Sequence, residues 1–213
     1  MPPRQRTMNH PHLPKACKRA ITLHGFNVSD GGRGTTDKLH SGLEDMGLEV
    51  VDFDTEWEFG IIRDLISARM GNVKRARRLA RMLQPGDMLI GHSNGGCIID
   101  IATWMVPCIP VGAIYINPAL DRDAPISPGI LELHVLHTPT DNVVGVARRL
   151  IGSRWGSMGR DGYMGDPDPR AINVSHELFG LSDTGHSGIF DTDEGIEAIL
   201  SRADLLAHRI NHS

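Results

Sequence analysis

The chain has 213 residues, 40% hydrophobic, 23% charged and 5% aromatic, with 24 Gly, 13 Pro and a formal charge of −4, which is the composition of a globular domain and excludes wholesale disorder or a collagen-like repeat. At this length folding buries about 70% of the unfolded chain's surface, so one core needs no cross-link or metal. Three cysteines without metal-ligand spacing argue against a disulfide framework and a zinc site, and the slightly acidic balance gives no footprint for a nucleic acid.

Residues 1–19 carry Arg4, Arg6, Lys15, Lys18 and Arg19 among four prolines. They lack the apolar segment of a signal peptide and read as a basic tail, which points to a cytoplasmic protein. From residue 20 to 213 a single domain is expected, in which short apolar runs alternate with helix-spaced stretches, the βαβα pattern of a parallel sheet covered on both faces. The first strand is Ala20–His24, followed by a glycine-rich loop and a helix over Thr36–Met46 that Gly47 stops. The second strand is Leu48–Phe53. A helix over Ile61–Leu83 follows, with Val73, Ala76, Leu79, Ala80 and Leu83 on one face and a Lys/Arg-rich face opposite, ended by Pro85-Gly86.

Met88–Ile90 is the third strand, and Gly91–Gly96 turns from it into an apolar helix over Cys97–Val106. Val111–Ile116 and Glu132–Leu136 read as strands four and five. A helix over Val143–Ile151 leads into 152–169, which holds five Gly and two Pro with Trp155, Met158, Tyr163 and Met164 and reads as an excursion without periodicity. Ala171–Leu178 is expected as strand six, and Glu194–Ile210 as a closing helix. The longest uncharged stretch, Ile101–Leu120, is broken by Pro107, Pro110 and Pro118, so no membrane span is expected.

The chemical signal is Gly91-His92-Ser93-Asn94-Gly95, a G-x-S-x-G between a predicted strand and a predicted helix. Glycines two places before and after the serine let strand and helix approach without Cβ clashes, which leaves a strained serine at the sheet's C-terminal edge, beside the free N–H groups of the helix. A hydroxyl needs a base to become a nucleophile, and the base works best when a third group fixes its tautomer. Asp141 follows strand five and His186 follows strand six, both in loops. His176, inside predicted strand six, is the rival base, and Asp121, after strand four, the rival acid. His24 and His92 are expected to orient the turn by hydrogen bonds rather than transfer protons. Asp161, Asp166 and Asp168, and the set Asp191, Asp193 and Glu194, lack the ligand spacing of an EF-hand, so no metal is assigned.

With serine, acid and histidine in that order on three loops, the chain resembles the α/β-hydrolase superfamily. The resemblance spans roughly residues 20–210 and rests on three short segments. It implies a compact version of that fold, with about six mostly parallel strands flanked by helices and without the two leading strands. It also implies Ser93 as nucleophile, Asp141 as orienting acid and His186 as general base. The family's His-Gly-x loop after the first of these strands lends an N–H to the oxyanion hole. Here that loop is His24-Gly25-Phe26, so Phe26 and Asn94 are the expected donors. The reading is a serine hydrolase acting on carboxylic esters, without a cofactor, on small or surface-presented acyl groups. Trp155, Met158 and Tyr163 are expected to line the acyl pocket. A thioesterase or peptidase on the same triad, and a noncatalytic binding protein of this fold, are the alternatives.

Overall fold

The computed structural model describes residues 16–25, 33–53, 61–143 and 156–212, with backbone alone over 61–70. Six strands form one sheet: β1 (Arg19–Leu23), β2 (Glu49–Asp52), β3 (Met88–His92), β4 (Val111–Ile116), β5 (Ile130–His137) and β6 (Ala171–Ser175). Their order is β2-β1-β3-β4-β5-β6, and every neighbouring pair is parallel. The chain steps outward from β1 to β2, returns to the far side of β1 as β3, and then proceeds to the other edge. The direction of travel therefore reverses between β1 and β3. In open parallel sheets, sites form at the C-terminal ends of strands flanking such a reversal.

Side chains alternate along each strand between two apolar layers. On one face Ile21, Leu23, Leu89, Ala113, Tyr115, Leu133 and Val135 pack against α2 (Ile61–Ala80), α3 (Asn94–Met105) and Met158 at the start of the short α4 (Met158–Asp161). On the other, Ala20, Met88, Ile90, Ile114, Ile116 and Leu136 meet α1 (His40–Asp45) and α5 (Asp193–His212). Helix α5 presents Ile199, Ala203, Leu206 and Ile210, all buried, at the spacing of one helical face. Asp193 and Glu194 open that helix while Arg209 and His212 close it, matching its dipole at both ends.

The start of the sheet reaches into the expected tail. Arg19 is the first residue of β1, and its guanidinium donates to both carboxylate oxygens of Asp87 at 3.0 and 2.7 Å, while Cys17 is buried and its N–H donates to Asn211 Oδ1. Residues 16–19 thus belong to the fold because a paired arginine and a buried thiol hold them there. Far from the site, Arg170 donates to the carbonyls of Ser127 and Ile130 and pairs with Asp168 at 2.6 Å, which joins the approaches to β5 and β6.

Several helix boundaries differ from those expected: the helix expected over Thr36–Met46 divides into a 3-10 turn over Thr36–Leu39 and α1, and α5 runs over Asp193–His212 rather than Glu194–Ile210. Helix α2 ends at Ala80 rather than Leu83. Helix α3 begins at Asn94 rather than Cys97, so Gly95 and Gly96 lie inside its first turn. Their low helix propensity is overridden by packing: a Cβ on Gly95 would fall on the Leu23 carbonyl oxygen, and one on Gly96 would lie 3.1 Å from Pro118 Cβ. Strand β6 also ends early, at Ser175, because the Ser175 hydroxyl accepts the Glu177 N–H and starts a 3-10 turn over His176–Phe179. The predicted helix over Val143–Ile151 lies largely outside the described residues. The predicted excursion contains α4, tied by Met158 N–H to Leu120 O, Gly159 N–H to Pro118 O and Thr138 N–H to Gly159 O. No helix among the described residues is long and apolar enough to cross a membrane.

Candidate active site

Strand β3 ends at His92, and Ser93 turns directly into α3 with φ +54° and ψ −120°. A non-glycine residue at that angle is strained and persists only where its surroundings hold it. Here they do, because Ser93 N–H donates to Ile116 O, Ser93 O accepts from Ala119 and Gly96 N–H, and the flanking glycines admit the crossing chains. A Cβ on Gly91 would lie 2.7 Å from Gly96 N. Gly25, just past β1, is equally confined, since its Cβ would stand 2.9 Å from Ser93 Cβ. The serine therefore sits at the ends of β1 and β3, where the strand order reverses.

Asp141, His186 and Ser93 meet at this edge. Asp141 is fully buried, and its Oδ2 accepts from His186 Nδ1 at 2.8 Å. His186 Nε2 lies 2.8 Å from Ser93 Oγ. A carboxylate can only accept, so it fixes the proton on Nδ1 and leaves Nε2 free to take the hydroxyl proton. The rival acid Asp121 is exposed after β4. The rival base His176 lies beyond β6 rather than within it, fully buried, with Nδ1 2.7 Å from Thr184 Oγ1.

Asn94, the residue after the serine, is buried and locked by a reciprocal amide pair. Asn72 Nδ2 on α2 donates to Asn94 Oδ1 at 2.8 Å, and Asn94 Nδ2 donates to Asn72 Oδ1 at 3.0 Å. Phe26, the other expected oxyanion donor, and Trp155 lie outside the described residues. Met158 is 2% exposed and packs into the core with Tyr115. Tyr163 is packed against the same core, and its hydroxyl donates to Asp166 O at 3.1 Å.

His92 and His24 both make local hydrogen bonds: His92 Nε2–H donates to His186 O at 3.0 Å, and His24 Nδ1 lies 2.9 Å from Gly25 O. Burial, reinforced by neighbouring His186, pushes His92 down to about 3. Burial and His137 likewise push His176 down to about 4. Both are neutral in the fold, whereas in the unfolded chain they titrate near the ordinary 6.5. Below that pH the unfolded state binds more protons, so stability is full above pH 6.5 and falls on acidification by up to about 1.4 kcal/mol per pH unit for each ring. The loss levels off near pH 4 for His176 and near pH 3 for His92. Urea melts at about pH 7 and about pH 5 check this, with His92→Gln expected to remove about half of these two rings' contribution and leave that of His176; equal stability at both pH values would contradict it.

Of the aspartates considered as metal ligands, Asp161 is held by Arg122 at 3.1 Å and Arg160 at 3.2 Å, Asp168 by Arg170, and Asp191 lies 3.6 Å from Lys38 Nζ. Among the described residues, Asp37, His40 and Asp52 bring ligand atoms within 4.8 Å of one another, and His40 Nε2 already shares a 3.0 Å hydrogen bond with Thr22 Oγ1.

No family model matches the sequence, and no curated protein matches it. Solved structures do. The chain superposes on mouse alpha/beta hydrolase domain-containing protein 10 with a TM-score of 0.62 and 13% identity, covering 95% of this chain and 98% of that one. A serine hydrolase without a lid from Xanthomonas campestris gives 0.60 at 14% identity, covering 96% and 87%. An esterase from Pyrococcus furiosus gives 0.54 at 15%, covering 91% and 81%. With its parallel sheet, the reversal between β1 and β3 and a serine on a strained strand-to-helix turn, this chain has the α/β-hydrolase fold.

Proposed function

We propose that the protein is a serine hydrolase that cleaves carboxylic esters through an acyl-serine intermediate. The observation that carries this reading is the unbroken hydrogen-bonded series from buried Asp141 through His186 to Ser93, both links at 2.8 Å. His186 takes the Ser93 proton as the oxygen attacks the carbonyl carbon, and the charge that develops on the carbonyl oxygen is met by N–H groups at the start of α3, Asn94 first among them, with Phe26 as the second donor. His186 then returns the proton to the leaving alkoxide. Water, deprotonated by the same imidazole, attacks the acyl-enzyme and releases the acid and the free serine. A noncatalytic protein would have no need to hold a serine at φ +54° in line with a tautomer-fixed base.

Two similar structures, an esterase and a lidless serine hydrolase, support an ester substrate and an accessible site. Trp155, Met158 and Tyr163 are proposed to border the acyl group, with Met158 acting from beneath as core packing. A fluorophosphonate probe tests the central claim, because only an activated serine reacts with it. Stoichiometric labelling that mass spectrometry maps to Ser93 is expected, and an unlabelled, folded protein would defeat the reading. Graded p-nitrophenyl esters beside acyl thioesters then separate esterase from thioesterase.

A further inference from the structure

Asn117 is the first residue after β4, is fully buried, and is the one non-glycine residue besides Ser93 with positive φ, +44°, among the described residues. Left-handed backbone disfavours every L-residue except glycine, with asparagine tolerated best. A turn needing only that angle would be served best by glycine. The side chain here is used. Asn117 Nδ2 donates to His186 O at 2.7 Å and reaches Gly185 O at 3.3 Å. His92 Nε2–H donates to the same His186 carbonyl at 3.0 Å, and Gly185 N–H donates to Thr140 Oγ1 at 3.1 Å. The loop bearing His186 is thereby fastened to the ends of three adjacent strands, β3, β4 and β5. Asn117 Oδ1 is buried without a hydrogen-bond partner, so it is the donor end of the amide that this position exploits.

We propose that Asn117 is a positioning residue that, with His92, clamps the backbone carbonyl of His186 and so holds the imidazole between Asp141 and Ser93. The clamp matters because Nδ1 and Nε2 must satisfy two partners at once, and a shift of the loop by about 1 Å breaks one contact or both. It rests on the proposed reading of Ser93, Asp141 and His186, and it adds a residue that touches none of the reacting atoms.

Asn117→Gly separates the clamp from a turn role, since glycine accepts the backbone angle freely but donates nothing. The fluorophosphonate labelling rate and kcat/KM are expected to fall about 10- to 100-fold in Asn117→Gly, while cooperative melting is kept. Asn117→Asp, which sets a carboxylate against two carbonyl oxygens, should fall further. A second readout needs no turnover: the His186 Nδ1 proton, shared with a carboxylate, resonates far downfield of the amide region, and its disappearance in His186→Gln assigns it. In Asn117→Gly that resonance is expected to broaden or vanish through faster exchange. A wild-type labelling rate, or an unchanged downfield resonance in folded Asn117→Gly, would overturn the clamp, as would its absence from the wild-type protein. Failure of wild-type protein to label would instead strike the proposed function, and the resonance would still decide the clamp.

Discussion

Ser93→Ala is expected to abolish both probe labelling and ester hydrolysis, by about 10⁶-fold in kcat, in a protein that remains folded. The change removes one oxygen whose described hydrogen bond is to His186 Nε2. Alanine keeps the Cβ, so the strain at φ +54° is neither relieved nor increased, and the contacts that hold the turn are made by its backbone. Stability should therefore move by no more than about 1 kcal/mol. Turnover above about one thousandth of wild type in purified Ser93→Ala would mean that another residue supplies the nucleophile.

Asp141→Asn should be nearly as severe, lowering kcat by about 10⁴-fold. The amide presents an NH₂ group where the carboxylate accepted, so His186 Nδ1 becomes the acceptor and the ring proton moves to Nε2. A ring protonated at Nε2 faces Ser93 with a donor and cannot receive its proton. Because Asp141 is fully buried, no solvent molecule compensates. Asp121→Asn, on an exposed loop residue, is the matched control and should leave kcat within about twofold. If the Asp121 variant were the more damaged, the acid would have been wrongly assigned.

The elbow was legible in the sequence because its cause is local: two glycines, a serine and a strand-to-helix change within five residues. Asp141 stands out in sequence by its place just past predicted strand five, and His186 by its loop after predicted strand six together with the chain order of the family the sequence resembles. Asn117 does not stand out. Its carboxamide acts on carbonyls 68 and 69 positions away, and locally Asn117-Pro118 signals no more than a turn. Met158 shows the converse. In sequence it is an apolar residue in a glycine-rich stretch, but Gly159 beside it has no room for a Cβ, which would stand 2.7 Å from the Asn117 carbonyl carbon and 2.9 Å from Asp141 Oδ2. That tight seat draws the segment down onto the strand ends. Helix boundaries erred where glycine's low propensity lost to packing, as at Gly95 and Gly96.

The amide pair between Asn72 and Asn94 constrains how this protein can diverge. Each carboxamide supplies one donor and one acceptor to the other, in a place where both residues are buried. Changing either alone strands two polar groups away from water, at roughly 1–3 kcal/mol for each, whereas replacing both with apolar residues of matching shape can be close to neutral. The two positions are therefore coupled across 22 residues of chain: relatives should carry both asparagines or neither, and an ancestor on the path between those states must have tolerated the loss of stability or acquired a compensating change first.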